Sequence, residues 1–331
     1  MNRPAKIGLL IGAESDWPAA FINEVARRRR GVSVELIKLS GTHLAETSDY
    51  AVIIDRISHE IPYYHTVLKV ALLNGTAIIN NPLEYGAHDR FFNASLVSHM
   101  GFYHPRTVAL PSHAYNEGVF EDSLRNLIYP IPWEKHITYL GGFPVVLRPL
   151  HDSVLKRVYI INNYQELWHA YNQTGTEPMM LREHITWDKY VRCICIGPHA
   201  IKIARYVPGA PSDIRYYQDE TYLNPRERAL VSESAQLINR ALGLDFNMLD
   251  FAFQGSSLIA VDVTNPTPRL DINQLTPFFF DWVVATMADY AIALALGEQR
   301  QQMRELIWHH YLKAQQDTPH DTHDLNGSAL R

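Results

Sequence analysis

Apolar positions along this chain fall into two textures, short runs of β type and longer stretches of helical spacing. They alternate through the first hundred residues. Residues 6–12 (KIGLLIG), 32–39 (VSVELIKL), 50–57 (YAVIIDRI) and 76–82 (TAIINNP) are short apolar runs, predicted as strands. Residues 17–30 and 63–75 carry helical spacing, and the second stops at Gly75. Strands alternating with helices predict a small doubly wound parallel sheet. Residues 89–100 predict a further helix, opened by Asp89 and ended by Gly101.

The texture then changes. Residues 111–140, with prolines at 111, 130 and 132, predict mixed helix and loop. From residue 143 strand patterns dominate: FPVVLRPL, VLKRVYII, EPMMLREHI and YVRCICIG, the last closing a hairpin with HAIKIARYVP. Helices are predicted within NNYQELWHAYNQ, over 224–243, over 282–296 and over 299–312, with a disordered tail from Gln315. Within 249–271 the pattern is again a hairpin: LDFAF, a QGSS turn, then LIAVDV.

Composition narrows the class without naming a chemistry. At 331 residues the chain is long enough for two or three domains or lobes. A hydrophobic share of 47% and a charged share of 20% describe a soluble globular protein. A net charge of −5 gives no pull toward nucleic acid or an anionic membrane. The four arginines 27–30 end a helix, where cations suit the dipole, rather than form a nucleic-acid patch. Cys193 and Cys195, two apart on a strand, cannot bridge and are expected in the core. No hydrophobic leader and no apolar run of eighteen residues is found, so a cytoplasmic protein with no membrane contact is expected.

Candidate chemistry centres on the last hairpin. Pairing across its turn brings Asp250 close to Asp262, with Asn265 just beyond. Two carboxylates and an amide oxygen are hard donors suited to Mg²⁺, although capped hairpin ends need the same residues. The segment HEIPYYH is not a zinc motif, because its histidines lie six apart with Pro62 between them. Gly8 and Gly12 do not make a dinucleotide fingerprint. The aromatics Phe278, Phe279, Phe280 and Trp282 read as packing or a subunit contact, the ground for expecting a homodimer.

Taken in order, the pieces become more specific. Asn81-Pro82 and Asp89-Arg90 precede a helix, then Gly101-Phe102-x-x-Pro105-x-Thr107, then FPVVLRP. A Glu-containing strand, Val191-Arg192-x-x-x-Ile196-Gly197, and Leu249-Asp250-Phe251 with Asp262-x-x-Asn265-Pro266 complete the series. This order resembles the ATP-grasp superfamily, which includes glutathione synthetase, over about residues 6–297. The resemblance implies a fold of α/β plus α+β class: a small doubly wound sheet followed by a two-subdomain ATP-grasp fold. It divides the chain into an N-terminal domain at 1–110, an ATP-grasp domain at 111–297 with a hinge near 180–185, and a C-terminal helix and tail at 298–331.

The resemblance also implies chemistry, namely an ATP-dependent carboxylate–amine ligase that works through an acyl phosphate with Mg²⁺. Its partners would be a small carboxylate and an amine. Position by position, Asp250, Asp262 and Asn265 match the metal ligands. Here the acid and Asn265 are one residue further apart than usual, which makes Thr264 a rival ligand. Arg90 and Arg148 match phosphate-contacting lysines, and Arg205 matches a cation near the γ-phosphate and substrate carboxylate. Glu183, with the main chain of Met180, Leu181 and Arg182, matches the adenine contact, and Asp188 matches the ribose contact. Arg192, Lys202 and Lys156 add charge. One departure stands out: the phosphate loop LHDSVLKRVYI contains no glycine, and a chain without glycine does not readily adopt φ > 0 against a phosphate. Its alternative implication is a weakly active or inactive ATP-grasp protein that binds a nucleotide or a protein partner.

Overall fold

A computed structural model of the chain describes residues 5–44, 46–83, 89–151 and 158–301. The helix expected over 299–312, the tail beyond it, and Lys156 with most of its loop lie outside the described residues.

The first four strands behave as their patterns predict. β1 (Lys6–Leu10), β2 (Ser33–Leu36), β3 (Val52–Asp55) and β4 (Ala77–Ile79) form a parallel sheet in the order β2-β1-β3-β4. Helices α1 (Asp16–Arg28) and α2 (Pro62–Leu73) make the crossovers. α1 buries Trp17, Phe21 and Val25, an i, i+4, i+8 stripe, and ends at Arg29 with φ of 51°. Arg28 and Arg30, from the run that closes it, reach Asp289 and Glu298.

Helix α3 (Arg90–His99), capped by the Asp89 side chain, leads to β5 (Thr107–Ala109). β5 pairs with β8 (Met179–Glu183) in a second sheet, ordered β5-β8-β6-β7, with β6 at Val145–Pro149 and β7 at Tyr159–Ile161. An expected boundary at residue 110 therefore falls after a strand whose backbone bonds belong to the second sheet. Helices α4 (Trp133–Leu140) and α5 (Tyr164–Asn172) share one apolar cluster with Val145, Leu147, Met179 and Leu181. Strand alternation leaves Val146, Arg148, Met180 and Arg182 on the other face.

The third sheet is antiparallel, ordered β11-β10-β9-β12-β13: Tyr216–Tyr217, Ala200–Tyr206, Lys189–Ile196, Phe246–Gln254 and Ser257–Asp262. Its outer face packs on α6 (Pro225–Leu242), whose Asn224 and Glu227 make a reciprocal capping box. Its inner face shares a core with the parallel sheet and with α7 (Ile272–Ala295). The sequence pattern predicts that last helix only from residue 282. The structure starts it at the Asp271 cap and kinks it at Thr276 (φ 63°), so that Pro277 opens its second segment. α7 is long and apolar enough to cross a membrane, yet 56% of that window is buried inside the protein, where it acts as a core helix. Phe279 and Phe280 are buried in that core, so the aromatic run is mainly packing. Cys193 and Cys195 are free and buried, as their positions predict.

Candidate functional site

The last hairpin builds one wall of the site. Gly255 takes a φ of 58° in a two-residue turn, and the strands pair with Asp250 opposite Asp262. A bulge between Asp250 and Phe251 shifts the register, so Phe251 faces Ala260. Val261 is the extra residue. Thr264 is buried, and its hydroxyl accepts from Asn93 Nδ2 at 2.9 Å, a structural role. Asn265 instead lines two adjoining clefts.

Alternation places Tyr190, Arg192 and Asp250 on the inner face of this sheet. Arg192 gives Asp250 two N–H bonds, 2.6 and 2.7 Å, and Tyr190 donates a third at 3.0 Å. The Arg192 guanidinium also lies 3.8 Å from the centre of the Tyr206 ring and donates to the Tyr216 hydroxyl. Burial alone would make Arg192 easier to deprotonate, but the charge and hydrogen bonding of Asp250, with the Tyr216 and Tyr206 hydroxyls, together outweigh it and raise its pKa well above the usual value.

The second sheet supplies the opposite wall. Arg148 donates to Asp262 at 2.9 Å, and Arg90, at the first turn of α3, approaches the same carboxylate at 3.9 Å. Arg182 donates to the Val261 carbonyl at 2.8 Å. Its guanidinium is pushed down to about 10, chiefly by burial and then by the neighbouring Arg148 charge. Burial would raise the Asp262 carboxyl, yet Arg148, Arg182 and Arg192 together hold it below its ordinary value. His104, nearly buried beside them, is pushed down to about 4 by burial and the Arg182 charge. Four guanidiniums thus gather around two carboxylates.

Several expected residues lie elsewhere, each for a reason in the backbone. Arg205 sits opposite Val191 on β9, so alternation sends it to the outer face, beside Asp219, Tyr217 and Tyr222. It is not at the arginine cluster. Lys202 shares the inner face, but its ammonium lies over the Phe278 and Trp282 rings of α7. Glu183 has the parity of Met179 and Leu181, and both its oxygens are taken by Arg106 at 2.9 Å. Met180, Leu181 and Arg182 are paired on both sides, by β5 and β6, so their main-chain groups are already used. Unpaired backbone on this strand begins only after Glu183. Asp188 accepts from the Gly255 amide at 2.7 Å and closes the hairpin turn.

The donor set does not fit a resident magnesium ion. Asp250 is closed on Arg192 and Tyr190, and Asp262 is held by Arg148 with Arg90 alongside. Among the described residues no three His, Cys, Asp or Glu side chains gather closely enough to hold a metal. An anion suits the cluster better, because four guanidiniums face two carboxylates and leave it net positive.

Two clefts, of about 360 and 440 Å³, adjoin the cluster at Arg192, the cluster residue that lines the smaller. Arg192, Arg215 and Tyr216 line the smaller, and Glu14, Arg56 and Glu60 the larger. Asn265, Arg269 and Gln274 line both. Of these, Arg56, Arg269 and Glu14 have no sequence signal.

No protein-family model matches the sequence, and no curated protein matches it. Solved structures do match in fold. A RimK domain ATP-grasp protein from Sphaerobacter thermophilus superposes with a TM-score of 0.62 at 17% identity, covering 87% of this chain and 99% of that one. D-alanine–D-alanine ligase from Bacillus anthracis, complexed with ATP, gives 0.57 at 16% identity, with 90% and 99% covered. The ATP-grasp ligase PsnB, complexed with a minimal precursor, Mg and ADP, gives 0.59 at 12% identity, with 88% and 99% covered. The fold of this chain is the ATP-grasp fold.

Proposed function

We propose that the protein is an ATP-dependent ligase that joins a carboxylate to an amine. The observation that carries this is the convergence of Arg90, Arg148, Arg182 and Arg192, from three parts of an ATP-grasp fold, beside an open cleft. In this reading ATP is a substrate whose phosphates lie among the four guanidiniums. The carboxylate substrate enters from the cleft, near Arg192 and Arg215. Its oxygen attacks the γ-phosphorus, ADP leaves, and the amine then displaces phosphate from the acyl phosphate. No side chain need form a covalent bond. Fixed positive charge at the point where negative charge develops, together with alignment of the reactants, supplies the catalysis. The arginines carry the charge stabilisation, because the carboxylates do not fit a metal. The solved ligases of the same fold, one complexed with ATP and another with ADP, support the reading.

The division at residues 110 and 297 is part of this proposal, with β5 moved to the ATP-grasp domain. So are a cytoplasmic location and small-molecule substrates. A second reading, a nucleotide-binding protein without turnover, is favoured by the closed Asp250–Arg192 pair and the glycine-free loop. The test is ADP release by the purified chain with ATP and pooled carboxylates and amines. Release that requires both pools establishes the ligase. ATP binding with no release under any pool refutes it in favour of the second reading.

A further inference from the structure

The carboxylates that an ATP-grasp site turns toward metal are here turned onto arginine. Asp250 is closed by Arg192 and Tyr190, and Asp262 is shared by Arg148 and Arg90. With Arg182 added, positive charge exceeds negative in this cluster before any ion enters. The arginines are also anchored. Arg182 is tied to the Val261 carbonyl, and Arg192 is stacked on Tyr206. Arg148 spends one N–H on Asp262, while its Nε lies buried without an acceptor.

Divalent metal at a polyphosphate site offsets phosphate charge and bridges oxygens. Guanidinium groups can do the first and, through paired N–H donors, much of the second. We infer that this site binds the free nucleoside triphosphate anion, with arginine in the place of magnesium. The inference rests on the nucleotide reading above. Asp262 is then a counter-charge that holds Arg148 and Arg90 in place and competes with phosphate for them. Removing its charge frees the guanidiniums for the ligand, the opposite of what removing a metal ligand does.

The test is calorimetric titration of ATP into the full chain, in excess EDTA and in excess Mg²⁺, for wild type and Asp262→Asn. For wild type, the affinity in EDTA is expected within about fivefold of that in Mg²⁺, or tighter. Asp262→Asn is expected to bind ATP at least about threefold more tightly in EDTA, because a like charge beside the phosphates is gone. A loss of more than about fivefold in EDTA, restored by Mg²⁺, overturns the inference while leaving the nucleotide reading intact. Weaker binding by a folded Asp262→Asn overturns it as well. If that variant does not fold, the wild-type comparison decides alone. Absence of binding in both buffers refutes the nucleotide reading itself, and the inference with it.

Discussion

Asp250→Asn tests the feature that most separates this site from a metal centre. The pair it breaks is bidentate, 2.6 and 2.7 Å, with side-chain exposures of only 7% for Asp250 and 17% for Arg192. Removing one partner of a buried pair costs about 3–5 kcal/mol, because the other charge is left without compensation. Arg192 keeps the Tyr206 face and the Tyr216 hydroxyl, and a desolvated cation–π contact retains about 2 kcal/mol at best. The lower end of the range, about 3 kcal/mol, is therefore expected. With an unfolding entropy of about 2.1 cal/mol/K per residue over 331 residues, each kcal/mol is worth about 1.5 °C, and the midpoint should fall by about 4 °C. Urea titration gives the free energy directly, provided the slope is unchanged. Asp122→Asn, in a pair with Arg125 that is exposed on both sides, is the control and should cost about 1 kcal/mol or less. A loss below about 1 kcal/mol for Asp250→Asn would refute the buried pair and reopen Asp250 as a metal ligand.

Three further outcomes follow from the fold. Asn224→Ala removes the cap of α6 and half of its capping box, and should cost about 1 kcal/mol in urea titration, whereas an unchanged midpoint would contradict the cap. The Asp245 carboxyl is pushed up from 3.8 to about 6, first by burial, with hydrogen bonds from Tyr290 and Gln301 pulling the other way. Its folded state prefers the proton, so the stability it contributes is full below pH 3.8 and is lost as pH rises to about 6. Asp245→Asn should therefore gain on wild type through that window, approaching about 3 kcal/mol above it, and a difference independent of pH would sink the argument. Burial pushes the Cys195 thiol up to about 12 and the Cys193 thiol well above its ordinary value. A thiol reagent should modify neither cysteine in the native chain and both in denaturant. Fast native labelling would place the β9 strand at a surface.

Local order was readable in the sequence because local rules produce it. Apolar runs of period two gave strands, and the stripe of Trp17, Phe21 and Val25 gave a helix. The two-residue turn at Gly255 set Asp250 against Asp262, because hairpin pairing depends only on nearby residues. The motif order pointed to the ATP-grasp fold, which the structure and its solved neighbours bear out. Boundaries were less legible where a break and a cap coincide, as at Asp271, Thr276 and Pro277 in α7.

Spacing along the chain sets the elements, their order and one hairpin with its two carboxylates. Which side chains share a site was decided by the tertiary structure. Arg148 and Arg182 belong together because neighbouring strands put them on one face. Arg205 is lost to the site because one residue of parity sends it to the other. Glu183 and Asp188 carry the expected carboxylates, yet Arg106 takes the first and the Gly255 amide the second. Asp250 has the right chemistry for a metal, but the partner that closes on it, Arg192, comes from a strand 58 residues away in the chain. Charge pairing of that kind depends on distances through space, which spacing along a sequence does not contain.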